Sequence, residues 1–237
     1  PGLALGGLRP VVEVDGAEVS LELVPGDGDC GAVRYEQAGR LRLDLAFEQG
    51  PASLTVRGAL TNLSASPLDL GRVVLLGADR EGESIGFGAE PGEIVLLLQN
   101  NYWGDVVPLA APVTEAAQAE GSEPNDAGEP SRGRSLVSQN VWLAWDRQAR
   151  QALLVGFLGN ETWTGTITLE ADAAGAVSRF DLGFDGGDLL LEPGREAPVE
   201  PCVLMHGADA FQLLEAYGDA VAREHPTSPL EDAPVSW

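Results

Sequence analysis

The chain has 237 residues, 44% of them hydrophobic, which suffices for one large β domain or two small ones with a sizeable core. It carries 37 acidic residues against 14 basic ones, a net charge of −23, and every basic residue is an Arg. Such a surface repels phosphate backbones and anionic lipid, so nucleic-acid and membrane-surface partners are disfavoured, whereas a neutral ligand such as a sugar is compatible with it.

In chain order, PGLALGGLRP lacks a starting Met and the pattern of an intact signal peptide, so the chain is expected to begin inside a longer reading frame or after processing. VVEVDGAEVSLEL (11–23) reads as a hairpin about Asp15-Gly16, a favoured tight-turn pair. In RLRLDLAF, Leu41, Leu43, Leu45 and Phe47 alternate with other residues as in a half-buried strand, and SLTVRGALTNLS (53–64) continues the pattern. RVVLLG (72–77) and EIVLLLQ (93–99) are more continuously apolar and are expected to be buried on both sides. Residues 114–134 hold almost no large apolar side chain and read as a flexible surface loop.

SQNVWLAWD (138–146) and QALLVGFLG (151–159) form another hairpin, and TGTITLEAD (164–172) pairs with AVSRFDLGF (176–184) through Ala-Ala-Gly. LLLEPGREAPVEPCVLMHG (189–207) adds two short strands around Pro193-Gly194. So many closely spaced strands imply an all-β chain, a large antiparallel β-sandwich. ADAFQLLEAYGDAVARE (208–224) is the one convincing helix, with Asp209 as N-cap and an amphipathic face of Phe211, Leu214, Tyr217 and Val221. Pro226 stops it, and HPTSPLEDAP reads as an interdomain linker. A Trp closing the chain just beyond that linker is expected to belong to a neighbouring domain.

Chemistry-bearing motifs are few. His206 and His225 have no Ser or Cys nucleophile in a recognisable elbow, and neither a dinucleotide fingerprint nor a phosphate loop is present, so no cofactor is implied. Asp27 and Asp29 in PGDGDCG, and Asp181, Asp185 and Asp188 in DLGFDGGD, do not follow the spacing of a calcium-binding helical hand and read as turn chemistry, so no metal site is assigned. Cys30 and Cys202 form no zinc pattern; two unpaired thiols are preferred over a bridge between them. The informative stretch is QNNYWGDVVPL (99–109), which places amides beside aromatic rings at a strand end, the groups that sugar recognition uses. On residue types alone it reads first as a loop whose Trp caps the core.

That stretch is similar to the Asn-Gly-Tyr-Gln-Ser-Trp segment of bacterial α-galactosidases of the melibiase group, glycoside hydrolase family 36 and relatives. VWLAWDRQARQALLVGFLGNETWTGTITL and LLEPGREAPVEPCVLMHGADAFQLLEAYGDAVARE resemble that group's hairpin and its strand pair with closing helix. The resemblance implies a super-sandwich over 1–207, a closing helix over 208–225, and in 226–237 a linker and the start of a (β/α)8 barrel. It implies that the catalytic carboxylates sit on that barrel, so that this chain carries no catalytic residue of its own. Asn101, Tyr102 and Trp103 are then the candidate sugar-binding residues, and the chain's own barrel, α-galactosides bound through it and a second copy are the expected partners. The compartment stays open, with bacterial cytoplasm slightly ahead of secretion. The alternative reading is a free-standing carbohydrate-binding or interaction module, with the 99–109 loop as its site.

Overall fold

The computed structural model describes residues 4–5, 9–25, 31–78, 85–86, 94–100, 103–110, 134–172 and 174–226. Nearly all of the expected 114–134 loop, the linker after Pro226, the Asp27 and Asp29 loop and Cys30 lie outside the described residues.

Two antiparallel sheets face each other, as the alternating sequence requires. The larger has nine strands, in the order β11 (Trp103–Pro108), β10 (Ile94–Asn100), β13 (Val141–Asp146), β14 (Gln151–Phe157), β17 (Glu196–Gly207), β7 (Ser53–Asn62), β6 (Leu41–Gln49), β5 (Ala32–Gln37) and β4 (Glu22–Val24). The smaller has six, in the order β12 (Arg134–Gln139), β15 (Gly165–Ala171), β16 (Val177–Leu191), β8 (Leu68–Ala78), β2 (Arg9–Val14) and β3 (Ala17–Ser20). A two-residue pair, β1 (Ala4–Leu5) with β9 (Ile85–Gly86), forms its own small sheet, with β9 beside β16.

Turn chemistry sets the local registers. Asp15 and Gly16 both adopt positive φ, 54° and 74°, which a two-residue hairpin needs if its strands are to keep their natural twist. Asp15 also ties that turn down, accepting from Arg40 at 2.7 Å and from the Asp69 amide at 3.1 Å. Those contacts hold its carboxyl below the usual carboxylate range, the Asp69 amide first and then the Arg40 guanidinium.

Inward-facing side chains of both sheets make one core. Leu41, Leu43 and Leu60 from the large sheet meet Leu70, Phe180 and Phe184 from the small one, all essentially without exposure. Trp142 lies edge-on to Phe180 with ring centroids 6.1 Å apart, and burial of each such ring contributes about 1.5–3 kcal/mol. Cys202 is a free thiol fully buried in this core, where desolvation pushes its pKa up to about 12 and leaves it chemically inert.

The helix, α1 (Ala210–Glu224), starts where the sequence places it: Asp209 accepts from the Phe211 and Gln212 amides at 2.8 and 3.2 Å. It packs on the outer face of the nine-stranded sheet over β13, β14 and β17, making a second apolar layer. Its buried stripe differs from the expected one. Ala210, Leu213 and Ala220 face the sheet, Leu214, Tyr217 and Val221 are half-buried, and Phe211 is 68% exposed. The helix is rotated because small residues allow close approach, with the Tyr217 ring filling the space where Gly156 has no Cβ. The Tyr217 hydroxyl donates to the Phe157 carbonyl, and Arg57 of β7 holds Glu224 with two bonds of 2.7 Å.

A second difference concerns DLGFDGGD. It is not a loop between short strands but lies within the fifteen-residue β16; Asp185 does make a turn contact, accepting from the Gly187 amide at 3.0 Å, whereas Asp181 pairs with arginines instead. The glycines serve bulges instead: the pairing of β16 with β8 slips between Leu182 and Gly183 and again between Asp185 and Leu189.

Candidate functional site

Of the sequence-predicted site residues, Asn101 and Tyr102 lie outside the described residues, and Trp103 is placed by its backbone as the first residue of β11, paired with Asn100. The β10–β11 pair on either side of them in the sequence is anchored from below. Buried Ser138, at the end of β12, accepts from the Gln99 amide at 2.7 Å and so ties the hairpin to the opposite sheet.

Beside that hairpin the large sheet presents an apolar flank. EIVLLLQ is read as doubly buried, yet along β10 only Ile94, Leu96 and Leu98 are buried, while Val95 and Leu97 are partly buried. The reason is geometric. Cross-strand pairs share a face, so Val95 aligns with Trp145 and Pro108, and Leu97 with Val106, on the outer face that α1 also occupies, with Leu97 and Trp145 at the edge of the helix's apolar layer. Val106 is 62% exposed. Phe211 on α1 extends the same patch, standing edge-on to Trp145 at 6.2 Å, and the Arg147 guanidinium lies 5.3 Å over the Trp145 ring.

The outer face of the six-stranded sheet is of a different kind. It carries two adjoining clefts of about 570 and 610 Å³ that share Glu13, Arg72 and Arg179. The first is bounded by β2, β3 and β8, where Arg9, Glu18 and Ser20 reach over Val11 and Val74. The second extends across β15 to β12, with Thr166, Thr168, Ser135 and Val137 along it. Between them stands a clamp. Asp181, its side chain 7% exposed, accepts from Arg72 Nη2 at 2.8 Å and from Arg179 Nε at 2.6 Å on the same oxygen, Oδ2. Arg179 also approaches Glu170 at 3.8 Å. One N–H of each guanidinium is thus spent on Asp181, and both side chains remain more than a third exposed to the clefts.

Sequence reasoning missed this face. Asp181 is singled out there only as a calcium candidate, and its partner Arg72 lies 109 residues away. The usable signal is the Gly183, Gly186 and Gly187 run inside an apolar-alternating stretch, which marks bulges and a strand that bends. A Cβ on Gly183 would sit 2.2 Å from the Val73 carbonyl oxygen, so only glycine fits there. Of the two histidines, His206 is exposed on β17, and His225 ends α1 with its Nε2 2.8 Å from the Leu158 carbonyl oxygen and Nδ1 3.5 Å from Glu161. Among the described residues no group of three or more His, Cys, Asp or Glu is placed to hold a metal ion.

No family model matches the sequence, and no curated protein does. Solved structures do. An α-galactosidase from Lactobacillus brevis superposes with a TM-score of 0.52 at 12% identity, over 94% of this chain and 29% of that one. The galactosidase domain of an α-galactosidase–sucrose kinase gives 0.53 at 11%, over 88% of this chain and 31% of that one. A glycoside hydrolase family 36 α-galactosidase from Geobacillus stearothermophilus gives 0.53 at 12%, over 85% and 30%. The chain therefore spans about 30% of the length of the solved structures it matches. At such identity the likeness is one of fold, and it bears out the resemblance read from the sequence: the matched parts are the N-terminal domains of these α-galactosidases.

Proposed function

We propose that this chain serves as the N-terminal, non-catalytic sandwich domain of a retaining glycoside hydrolase acting on α-galactosides, and that it docks the catalytic (β/α)8 barrel on the apolar flank beside α1. The observation that carries this reading is β10. Its sequence is that of a strand covered on both sides, yet Val95 and Leu97 are only partly buried, Leu97 at the edge of the layer under α1, beside exposed Val106 and Phe211. Contiguous exposed apolar surface with an aromatic pair at its centre is what a protein interface uses, and a charged rim such as Arg147 suits its edge. The fold likeness to α-galactosidase domains supports a barrel as the occupant.

On this reading the hairpin that carries Asn101, Tyr102 and Trp103 rims the barrel's entrance, because β11 is the outermost strand of the sheet and borders the docking flank. The reaction itself needs two carboxylates about 5 Å apart on a rigid frame, one acting as nucleophile and the other as acid and base. Those belong to the barrel in this proposal. The test is direct: the purified 237-residue chain is expected to leave p-nitrophenyl α-galactoside unhydrolysed. Turnover that co-purifies with the chain through successive columns would overturn the assignment of a non-catalytic role.

A further inference from the structure

The polar face of the six-stranded sheet lies on the opposite side of the sandwich from the docking flank and has no part in the proposed docking. We infer that its paired clefts bind a neutral saccharide, held by the Arg72–Asp181–Arg179 clamp.

The volumes come first. Clefts of about 570 and 610 Å³ fall in the range of small-ligand sites, and because both include Arg72 and Arg179 a ligand of two rings can lie across the clamp. The shape follows from the bulges. Slips in register on both edges of β8, against β16 and against β2, bend the centre of this sheet. Gly77, beside Asp181 in the β8–β16 register, leaves the floor there without a side chain. One pairing row, Val137–Thr168–Asp181–Gly77–Arg9, crosses five strands, roughly 19 Å at the usual spacing between strands.

Charge then selects the ligand. Glu13, Glu18, Glu170, Asp181 and Asp185 face Arg9, Arg72 and Arg179, so acceptors and donors alternate and acids outnumber bases. A phosphate or a carboxylate would meet those five carboxylates on a chain of net charge −23, and a cation would meet the arginine forks. Sugar hydroxyls both donate and accept, so each can satisfy either neighbour. Asp181 fixes both guanidiniums before any ligand arrives, which lowers the ordering cost of using their remaining N–H groups. The hydroxyls of Thr166, Thr168 and Ser135 add further donors and acceptors, and Val11, Val74 and Val137 offer apolar surface for ring CH groups.

The experiment titrates the chain with melibiose, cellobiose and maltose as neutral probes and with galacturonate as an anionic one, by calorimetry and saturation-transfer NMR. At least one neutral disaccharide is expected to bind with Kd on the order of 1 mM, and galacturonate at least about tenfold more weakly. Arg72→Gln is expected to weaken the neutral probe about tenfold or more by removing donors from both clefts. Val137→Trp, at a half-exposed position that leaves the clamp untouched, is expected to do the same by filling the second cleft. Should Arg72→Gln fail to fold, the Val137→Trp result stands alone. Absence of binding by all three neutral probes, tighter binding of galacturonate, or neutral-probe affinity unchanged in the folded variants would each overturn the inference. None of these outcomes bears on the docking flank, whose variants leave these clefts intact.

Discussion

The two sheets share a core but turn opposite kinds of surface to their surroundings. The nine-stranded sheet covers much of its outer face with α1 and leaves an apolar flank beside the helix's first turn, around Leu97, Val106, Trp145 and Phe211. Among the described residues no helix lies on the six-stranded sheet, which carries arginines, carboxylates and hydroxyls across its strands. An apolar surface gains free energy from being covered by another apolar surface, whereas a lattice of donors and acceptors gains it from a partner that can answer each group. On the two proposals, the same sandwich would offer one face to a domain and one to a polar ligand.

The substitution with the largest expected effect strikes the polar sheet alone. Gly183→Val would drive a Cβ to within 2.2 Å of the Val73 carbonyl oxygen at the bulge. It is expected to cost about 3 kcal/mol or more, read as a lowered urea midpoint, and to abolish saccharide binding in whatever fraction folds. A variant as stable as the parent would show that the bulge does not shape this face.

A smaller effect separates the helix-bearing sheet. The side-chain bonds from Arg57 hold the Glu224 carboxyl below its ordinary value of 4.5. A carboxyl with a lowered folded-state pKa stabilises the fold above its ordinary pKa, and that contribution disappears as pH falls through the folded-state value. Arg57 is 40% exposed, so the pair contributes no more than about 1 kcal/mol. Arg57→Gln should therefore lower the urea midpoint slightly at pH 7, by an amount that shrinks as pH falls below 4.5. A difference that does not shrink with falling pH would assign the effect to packing of the arginine stem instead.

Phe211→Ser should change stability least, within about 0.5 kcal/mol, because the ring is 68% exposed and makes one aromatic contact. Its expected consequence is on docking, with the saccharide titration unchanged. If it instead unfolds α1, the aromatic pair belongs to the helix's own packing and not to an interface.

How far the residues themselves announced this arrangement depends on the range of the interaction. Alternation at Leu41, Leu43 and Leu45, the Asp15-Gly16 turn and the Asp209 cap are local, and each is found where the sequence puts it. The facing of α1 is not local: Phe211 fits the amphipathic stripe, but the contact of Tyr217 with Gly156 decides the rotation, and that contact joins α1 to β14, far from it in the chain. The DLGFDGGD stretch has the composition of a turn, so its place inside a bulged strand becomes visible only once β8 lies beside it. The polar clefts need four or five strands in register before any of their residues meet, which no spacing along the chain reveals.

The central claim, that the flank beside β10 and β11 is a docking face for a catalytic barrel, is tested most directly by amide hydrogen exchange at Trp103–Pro108. Exchange would be measured in the 237-residue chain alone and in the full product translated from its gene. The account predicts marked protection of β11 in the full product, independent of protein concentration, and loss of that protection with Phe211→Ser. Identical exchange in the two, or protection that rises with concentration as a second copy takes the face, would contradict it.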